Sequence, residues 1–261
     1  MNQLHRTRAL ATLRRSWRLL RSFPMEQTRP QAFYSGLATD TFNLLDSLHR
    51  DISGTGLRGS RVLDVGGGPG YFASTFTAQG SHYLSVEPSA TELHATGLPA
   101  KQSVRGDGLS LPFANCVFDL VYSSNVAEHV PQPWTMGEEM LRVAKPGGLV
   151  VLSYTVWLGP FGGHETGLWQ HYIGGAWARD RYALKHGHAP KNVFGESLFD
   201  LSCAEGIRWA QSLKDAEVMA LIPRYHPAWA WWLVRIPGLR EFLVSNLVIV
   251  LRKTDPEQAL P

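Results

Sequence analysis

Only two cysteines occur in 261 residues, Cys116 and Cys203, far apart and outside any metal-binding spacing. That scarcity excludes a disulfide framework and a cysteine zinc cluster, and it makes a reducing cytoplasm the expected compartment. Long apolar runs are missing too. The longest, around residues 229–234 and 242–251, fall short of the roughly 20 residues that span a bilayer. No apolar core follows the arginine-rich start, so no secretory signal is read there. Acidic residues are absent from the first 21 positions, which hold six of the 25 basic residues: Arg6, Arg8, Arg14, Arg15, Arg18 and Arg21. The rest of the chain is net acidic, 19 basic against 22 acidic residues. With an acidic body and no nucleic-acid module, nucleic acid is not an expected partner.

What is present begins at residues 61–70, Arg-Val-Leu-Asp-Val-Gly-Gly-Gly-Pro-Gly. An apolar strand and the acid Asp64 lead into Gly66, Gly67, Gly68 and Gly70, then a helix. Glycine lets a ligand approach the backbone closely, and the end of a parallel strand is where a nucleoside-bearing ligand binds. A dinucleotide loop needs glycine at its sixth position, but counting from Gly66 that position is Tyr71. Gly-Lys-Ser/Thr is absent, and no Lys or Arg lies between Asp64 and Glu87, so nothing there clamps a phosphate. Glu87 closes a strand-like run, roughly 20 residues past the loop, where a carboxylate accepts two hydrogen bonds from ribose hydroxyls. Pro88 then stops the strand. A tight strand-to-helix turn would account for the glycines alone, and a solvated strand end for Glu87, so downstream segments decide.

Asp107 follows in Arg105-Gly106-Asp107-Gly108-Leu109, which also reads as an Asp-Gly turn. A strand over residues 117–123 leads into Ser124-Asn125-Val126-Ala127-Glu128-His129-Val130. A helix, a Lys145-Pro146-Gly147-Gly148 turn and a fifth strand ending at Ser153 complete the series. These five ordered segments across residues 61–153 resemble the class I S-adenosylmethionine-dependent methyltransferases, in their ubiquinone/menaquinone-methyltransferase-like form. The resemblance implies an α/β, Rossmann-like seven-stranded sheet with helices on both faces and a cap insertion after strand five. It implies S-adenosyl-L-methionine as cofactor, with S-adenosyl-L-homocysteine as product. On the family's pattern Asp64, Gly66, Gly67, Gly68 and Gly70 line the cofactor, and Glu87 with Pro88 takes the ribose. Asp107 meets the adenine amino group, Gly108 and Leu109 cover its ring, and Ser124, Asn125 and His129 close over the cofactor toward the acceptor. Tyr34, in a helix over residues 31–48, contributes as a flap. Over nearly its whole length the chain is similar to an actinobacterial branch linked with mycolate glycolipid assembly in the cell envelope, which implies a small-molecule or lipid acceptor.

The organisation expected is a basic arm over residues 1–30 and a methyltransferase domain over 31–261, with residues 154–200 as the acceptor-side cap. Leu10, Leu13, Trp17 and Leu20 fall at helical spacing among the arginines. That pattern suits either a membrane-surface helix or a helix packed on the domain with its arginines solvated. The aromatic load of residues 154–200 argues for an ordered cap above the reacting methyl group. In it, His164 would serve as general base with Glu165 orienting it, or both would merely hold the loop. His129 is a further candidate, which would either touch the cofactor or simply cap a helix. His186 and His188 lack acid or cysteine partners, so no metal is expected. Ser202-Cys203-Ala204-Glu205 is a capping box, followed by strands over residues 218–222 and 247–251. Trp229, Trp231 and Trp232 suit a membrane interface or packing on the sheet. With the arginine arm they make peripheral contact with the cytoplasmic face of a membrane an expectation. Two other classes stay open: a non-catalytic cofactor-binding partner in envelope lipid assembly, and a nicotinamide oxidoreductase, against which Tyr71 at the sixth position counts.

Overall fold

A computed structural model describes residues 4–94 and 102–255. The first three residues of the expected arm lie outside the described residues. In chain order come α1 (His5–Leu10), α2 (Leu13–Ser22), α3 (Met25–Thr28), α4 (Pro30–Ser53), β1 (Arg61–Val65), α5 (Ala73–Ala78), β2 (His82–Glu87), α6 (Ala90–His94) and β3 (Ser103–Arg105). Then follow β4 (Phe118–Ser124), α7 (Pro133–Val143), β5 (Ala144–Thr155), α8 (Gly175–His186), α9 (Cys203–Ser212), β6 (Ala216–Pro223), α10 (Leu239–Leu243) and β7 (Asn246–Lys253).

The strands form one seven-stranded sheet in the order β3-β2-β1-β4-β5-β7-β6. The first five strands run parallel, and β7 is antiparallel to both β5 and β6. Strand order reverses between β1 and β4, and that switch point is where an open α/β sheet leaves a crevice at the carboxyl ends of its strands.

Alternation along the strands explains why helices cover both faces. Val62, Leu120, Tyr122, Val151 and Val250 pack with Leu44, Leu45 and Leu48 of α4 and Phe76 of α5. Their neighbours Leu63, Val65, Val121, Leu152 and Ile249 pack with Met136 and Met140 of α7 and Ile207 and Trp209 of α9. The expected capping box is present at the start of α9, with Ser202 and Glu205 each bonding the other's amide. No described helix is long and apolar enough to cross a membrane.

Of the two arrangements expected for the arm, the one with its apolar stripe packed inward and its arginines solvated does not hold. The helix breaks at Ala11 and restarts with Thr12 as its cap, its hydroxyl accepting from the Arg15 amide, so Leu10 and Leu13 do not share one helix. The inward face of α2 carries an arginine instead of the apolar stripe. Arg15 is buried and makes a two-pronged pair with Asp40 at 2.7 and 2.6 Å, and its third contact is the Arg224 carbonyl at 3.0 Å. Leu13, Trp17 and Leu20 are left exposed, as is Phe23 just beyond the helix. The physical reason lies in Asp40. A buried carboxylate on α4 must be paired with a cation, and that requirement turns the helix over. Further anchors hold α1 and the break: Asp51 accepts from the Arg6 and Thr7 amides, and the Ala228 amide bonds the Ala11 carbonyl. The arm is therefore part of the domain's surface.

Residues 154–200 also gain structure the sequence did not suggest. Short turns of 3-10 helix at His164–Thr166 and Gln170–Tyr172 precede the twelve-residue helix α8.

Candidate functional site

β1 ends in the glycine loop, and the loop is pressed against its neighbours on two sides. The Gly66 amide bonds the Val86 carbonyl at 2.8 Å. A Cβ on Gly66, whose φ is +82°, would fall 2.6 Å from the Val126 side chain, and one on Gly67 would fall 2.6 Å from Ser85. Gly68 differs: a Cβ there meets nothing within 4 Å, so its face is open. Larger residues at the first two positions would push the loop off β2 and off the turn after β4, closing the crevice.

Beneath the loop, Asp64 is buried and accepts hydroxyls from Tyr83 at 2.6 Å and Tyr122 at 2.7 Å on one carboxylate oxygen. Burial pushes its pKa up to about 6; the two tyrosine hydrogen bonds oppose the rise and the Glu87 charge adds to it. Both tyrosines are themselves held well above their usual range, first by burial and then by Asp64. Asp64 thus underpins the loop. Glu87, at the end of β2, spans the loop itself: Oε2 accepts from the Gly68 amide and Oε1 from the Ser89 amide, each at 3.1 Å. Pro88 is exposed beside it, its carbonyl facing Arg105.

The other expected cofactor residues surround this pair. Tyr34 stacks flat on Tyr71, centroids 4.8 Å apart, which lays the start of α4 over the glycine loop. The Gly106 amide bonds the Glu87 carbonyl at 3.3 Å, bringing the Asp107 segment alongside. Asp107 is exposed and accepts from the Leu109 amide at 2.9 Å, so it does form the Asp-Gly turn. Gly108 backs onto Met136 and Val65, and Leu109 is half-buried. A carboxylate, an open glycine face, an aromatic flap and no basic side chain on the loop suit a phosphate-free nucleoside.

The side expected to meet the acceptor is assembled from distant segments. Ser124 accepts from the buried Arg224 guanidinium at 2.5 Å, and Arg224 also bonds Ser153 and Thr41. Asn125 sits at φ +57° and accepts the Asn246 amide at 2.7 Å. His129 reaches the Ser197 carbonyl at 2.7 Å, and its ring meets the His164 ring edge-on at 5.2 Å. His129 and His164 therefore come together. Glu165 does not join them, because Asn192 binds both its oxygens, at 2.6 Å through the backbone and 2.9 Å through the side chain. Burial would raise the Glu165 carboxyl, but those Asn192 bonds outweigh it and hold it below the usual range.

Sequence reasoning passed over Glu128, Tyr71, Asn192, Asn246 and Arg224. Glu128 carried a signal, being an acid beside His129 in the turn after β4. Arg224 carried none, because nothing local distinguishes a buried arginine after a strand from a solvated one.

Comparisons with known proteins bear on the family and the fold. A family model described as a methyltransferase domain matches residues 63–152. An uncharacterized methyltransferase of Mycolicibacterium gilvum is 60% identical over 248 residues, 94% of this chain and 96% of the relative. Another, from Mycobacteroides abscessus, is 56% identical over 249 residues, 93% of this chain and 95% of the relative. Among solved structures, an S-adenosylmethionine-dependent methyltransferase from Mesorhizobium loti shares the fold with a TM-score of 0.51 at 20% identity, covering 76% of this chain and 92% of that one.

Proposed function

This chain belongs to the class I S-adenosylmethionine-dependent methyltransferases, and from that premise we propose that its acceptor is a lipid or glycolipid, of the kind found in a cell envelope, met at a membrane surface. The cofactor supplies an electrophilic methyl group on a sulfonium and leaves as S-adenosylhomocysteine. The chain's residues do the rest. Glu87 is the carboxylate for the ribose hydroxyls, the Gly66–Gly68 backbone allows close approach, and Tyr34 with Tyr71 screens the crevice from water. Alignment and water exclusion of this sort contribute about 7–11 kcal/mol to such a displacement. His129 and His164 face the acceptor side, while Glu165 holds the cap in place through Asn192.

One observation carries the lipid reading: α2 turns its apolar side outward. Leu13, Trp17, Leu20 and Phe23 are exposed, with Arg14, Arg18 and Arg21 exposed among them. Phe23 packs against Phe161 of the cap, ring centroids 5.1 Å apart and tilted by 34°, so the apolar strip runs up to the side proposed to meet the acceptor. Trp229 and Trp232 are exposed near the other end of the arm, where the Ala228 amide bonds Ala11. An apolar strip edged by arginines matches an anionic bilayer surface on the cytoplasmic side. Incubation with methyl-labelled cofactor and a total envelope lipid extract is expected to move label into the organic phase. Label confined to polar metabolites rejects the lipid acceptor, and cofactor binding without product in either fraction favours a non-catalytic partner.

A further inference from the structure

The turn after β4 and the tip of the cap converge on a single cluster. A carboxylate oxygen of Glu128 and one ring nitrogen each of His129 and His164 lie within 4.8 Å of one another. Glu128 is 1% exposed. One of its oxygens accepts the Thr155 amide at 3.0 Å, while Oε2 is buried and has no hydrogen-bond partner among the described residues. A buried carboxylate oxygen without a donor or cation is costly, so this one calls for a counterpart.

Both histidines can provide the other half. Nδ1 of His129 is 2.7 Å from the Ser197 carbonyl, and Nδ1 of His164 is 3.0 Å from the Gly162 carbonyl. A carbonyl only accepts, so Nδ1 of each ring carries a proton, and in the neutral ring Nε2 is the nitrogen with a lone pair. Metal-binding imidazoles are held in this way, one nitrogen donating to a carbonyl and the other free to ligate. His164 adopts φ +48°, a left-handed conformation that a non-glycine residue avoids unless its surroundings impose it. Here that conformation brings the ring to His129. The site also lies against the cofactor crevice, since Val126, two residues before Glu128, packs on Gly66.

We infer that Glu128, His129 and His164 hold a divalent transition-metal ion of the zinc, iron(II) or manganese class, whose open positions take an oxygen of the methyl acceptor. Two imidazoles and one carboxylate suit those ions better than calcium or magnesium, which prefer oxygen alone. Three protein ligands are the count of a site that keeps a position for substrate, where a structural site uses four. Bonds of about 2.0–2.2 Å place two ligand atoms at most about 4.4 Å apart, so small side-chain rotations of the half-buried histidines close the cluster. A cation here neutralises the Glu128 carboxylate, and a hydroxyl bound to it releases its proton to solvent more readily. The acceptor role rests on the methyltransferase reading; the metal site does not.

The test is to strip the full-length protein with a chelator and titrate it with cobalt(II), following the visible absorbance of the bound ion. Saturation at one equivalent is expected. Glu128→Gln should abolish the band. Because that buried change can also unfold the chain, His164→Ala on the cap is the second variant, expected to weaken cobalt at least tenfold with its circular dichroism unchanged. No cobalt spectrum in the wild type, or an unaltered one in folded His164→Ala and His129→Ala, overturns the site. Calorimetry with S-adenosylhomocysteine on the stripped protein separates the two readings: if cofactor binds and cobalt does not, only the metal inference fails.

Discussion

At the cofactor end of the crevice, the carboxylate contact is short-range: Glu87 spans only 19 residues to reach Gly68, and the glycine loop rests on the adjacent strand, with Tyr122 of β4 bonding Asp64 beneath it and Val126 packed against it. At the acceptor end the partners are remote. His129 finds its carbonyl 68 residues away, Arg224 finds Ser124 at 100 and Thr41 at 183. The first end depends on backbone conformation that a short motif can encode. The second depends on the arm, cap and last strands docking together. The cofactor end thus leans on a short motif, and the side proposed to meet the acceptor leans on long-range docking.

Breaking the remote end should cost the most stability. Asp40→Ala leaves the Arg15 charge buried without its carboxylate, and the expected loss is about 3–5 kcal/mol, read by urea denaturation. A double change to apolar residues, Arg15→Met with Asp40→Leu, should recover much of it. If Asp40→Ala costs less than about 1 kcal/mol, the arm is not anchored as described.

Breaking the local end should cost less stability and remove ligand. Glu87→Ala deletes the carboxylate proposed to accept from the ribose hydroxyls, a loss expected at about 3 kcal/mol or roughly a hundredfold in affinity, measured by calorimetry with S-adenosylhomocysteine. Retained affinity would falsify the assignment of Glu87.

A third change sharpens the comparison through pH. Asp64 has its folded-state pKa raised to about 6 from an ordinary 3.8. Its contribution to stability is therefore fully present below pH 3.8 and is lost as pH rises through 6, for a total of up to about 3 kcal/mol. Asp64→Asn keeps an acceptor for the tyrosines but removes the titration. Its stability relative to wild type should rise between pH 4 and about 6 and then level off in denaturation curves; a difference independent of pH contradicts the burial argument.

The smallest effect on folding is expected at the arm's outer face. Trp17→Ser, at a position 54% exposed, should change stability by less than about 0.5 kcal/mol while weakening co-sedimentation with anionic vesicles. Unchanged sedimentation would leave α2 without a membrane role.

This contrast also explains how much could be read in advance. The strand ending at Asp64, the glycines, Glu87 and the later strands were legible because alternation and glycine spacing act over a few residues. The α2 stripe left two orientations open because periodicity reports only that a helix has two faces, and Asp40, on another helix, decides which one turns inward. Glu165 was paired in the sequence with its neighbour His164, but Asn192, remote in sequence, claims it. Helix α8 was obscured by the glycines and aromatics that flank it. Glu128 stood in plain view next to His129, and only the fold reveals that its second oxygen lacks a partner.

The central claim is that the crevice at the β1/β2 ends takes a phosphate-free nucleoside on Glu87 and the glycine loop. Thermal melting of the full-length protein with S-adenosylhomocysteine or with NAD tests it directly, since a ligand selective for the native state raises the midpoint. A rise with S-adenosylhomocysteine that NAD does not produce, and that Glu87→Ala abolishes, is the predicted result. A rise with NAD alone would contradict the account.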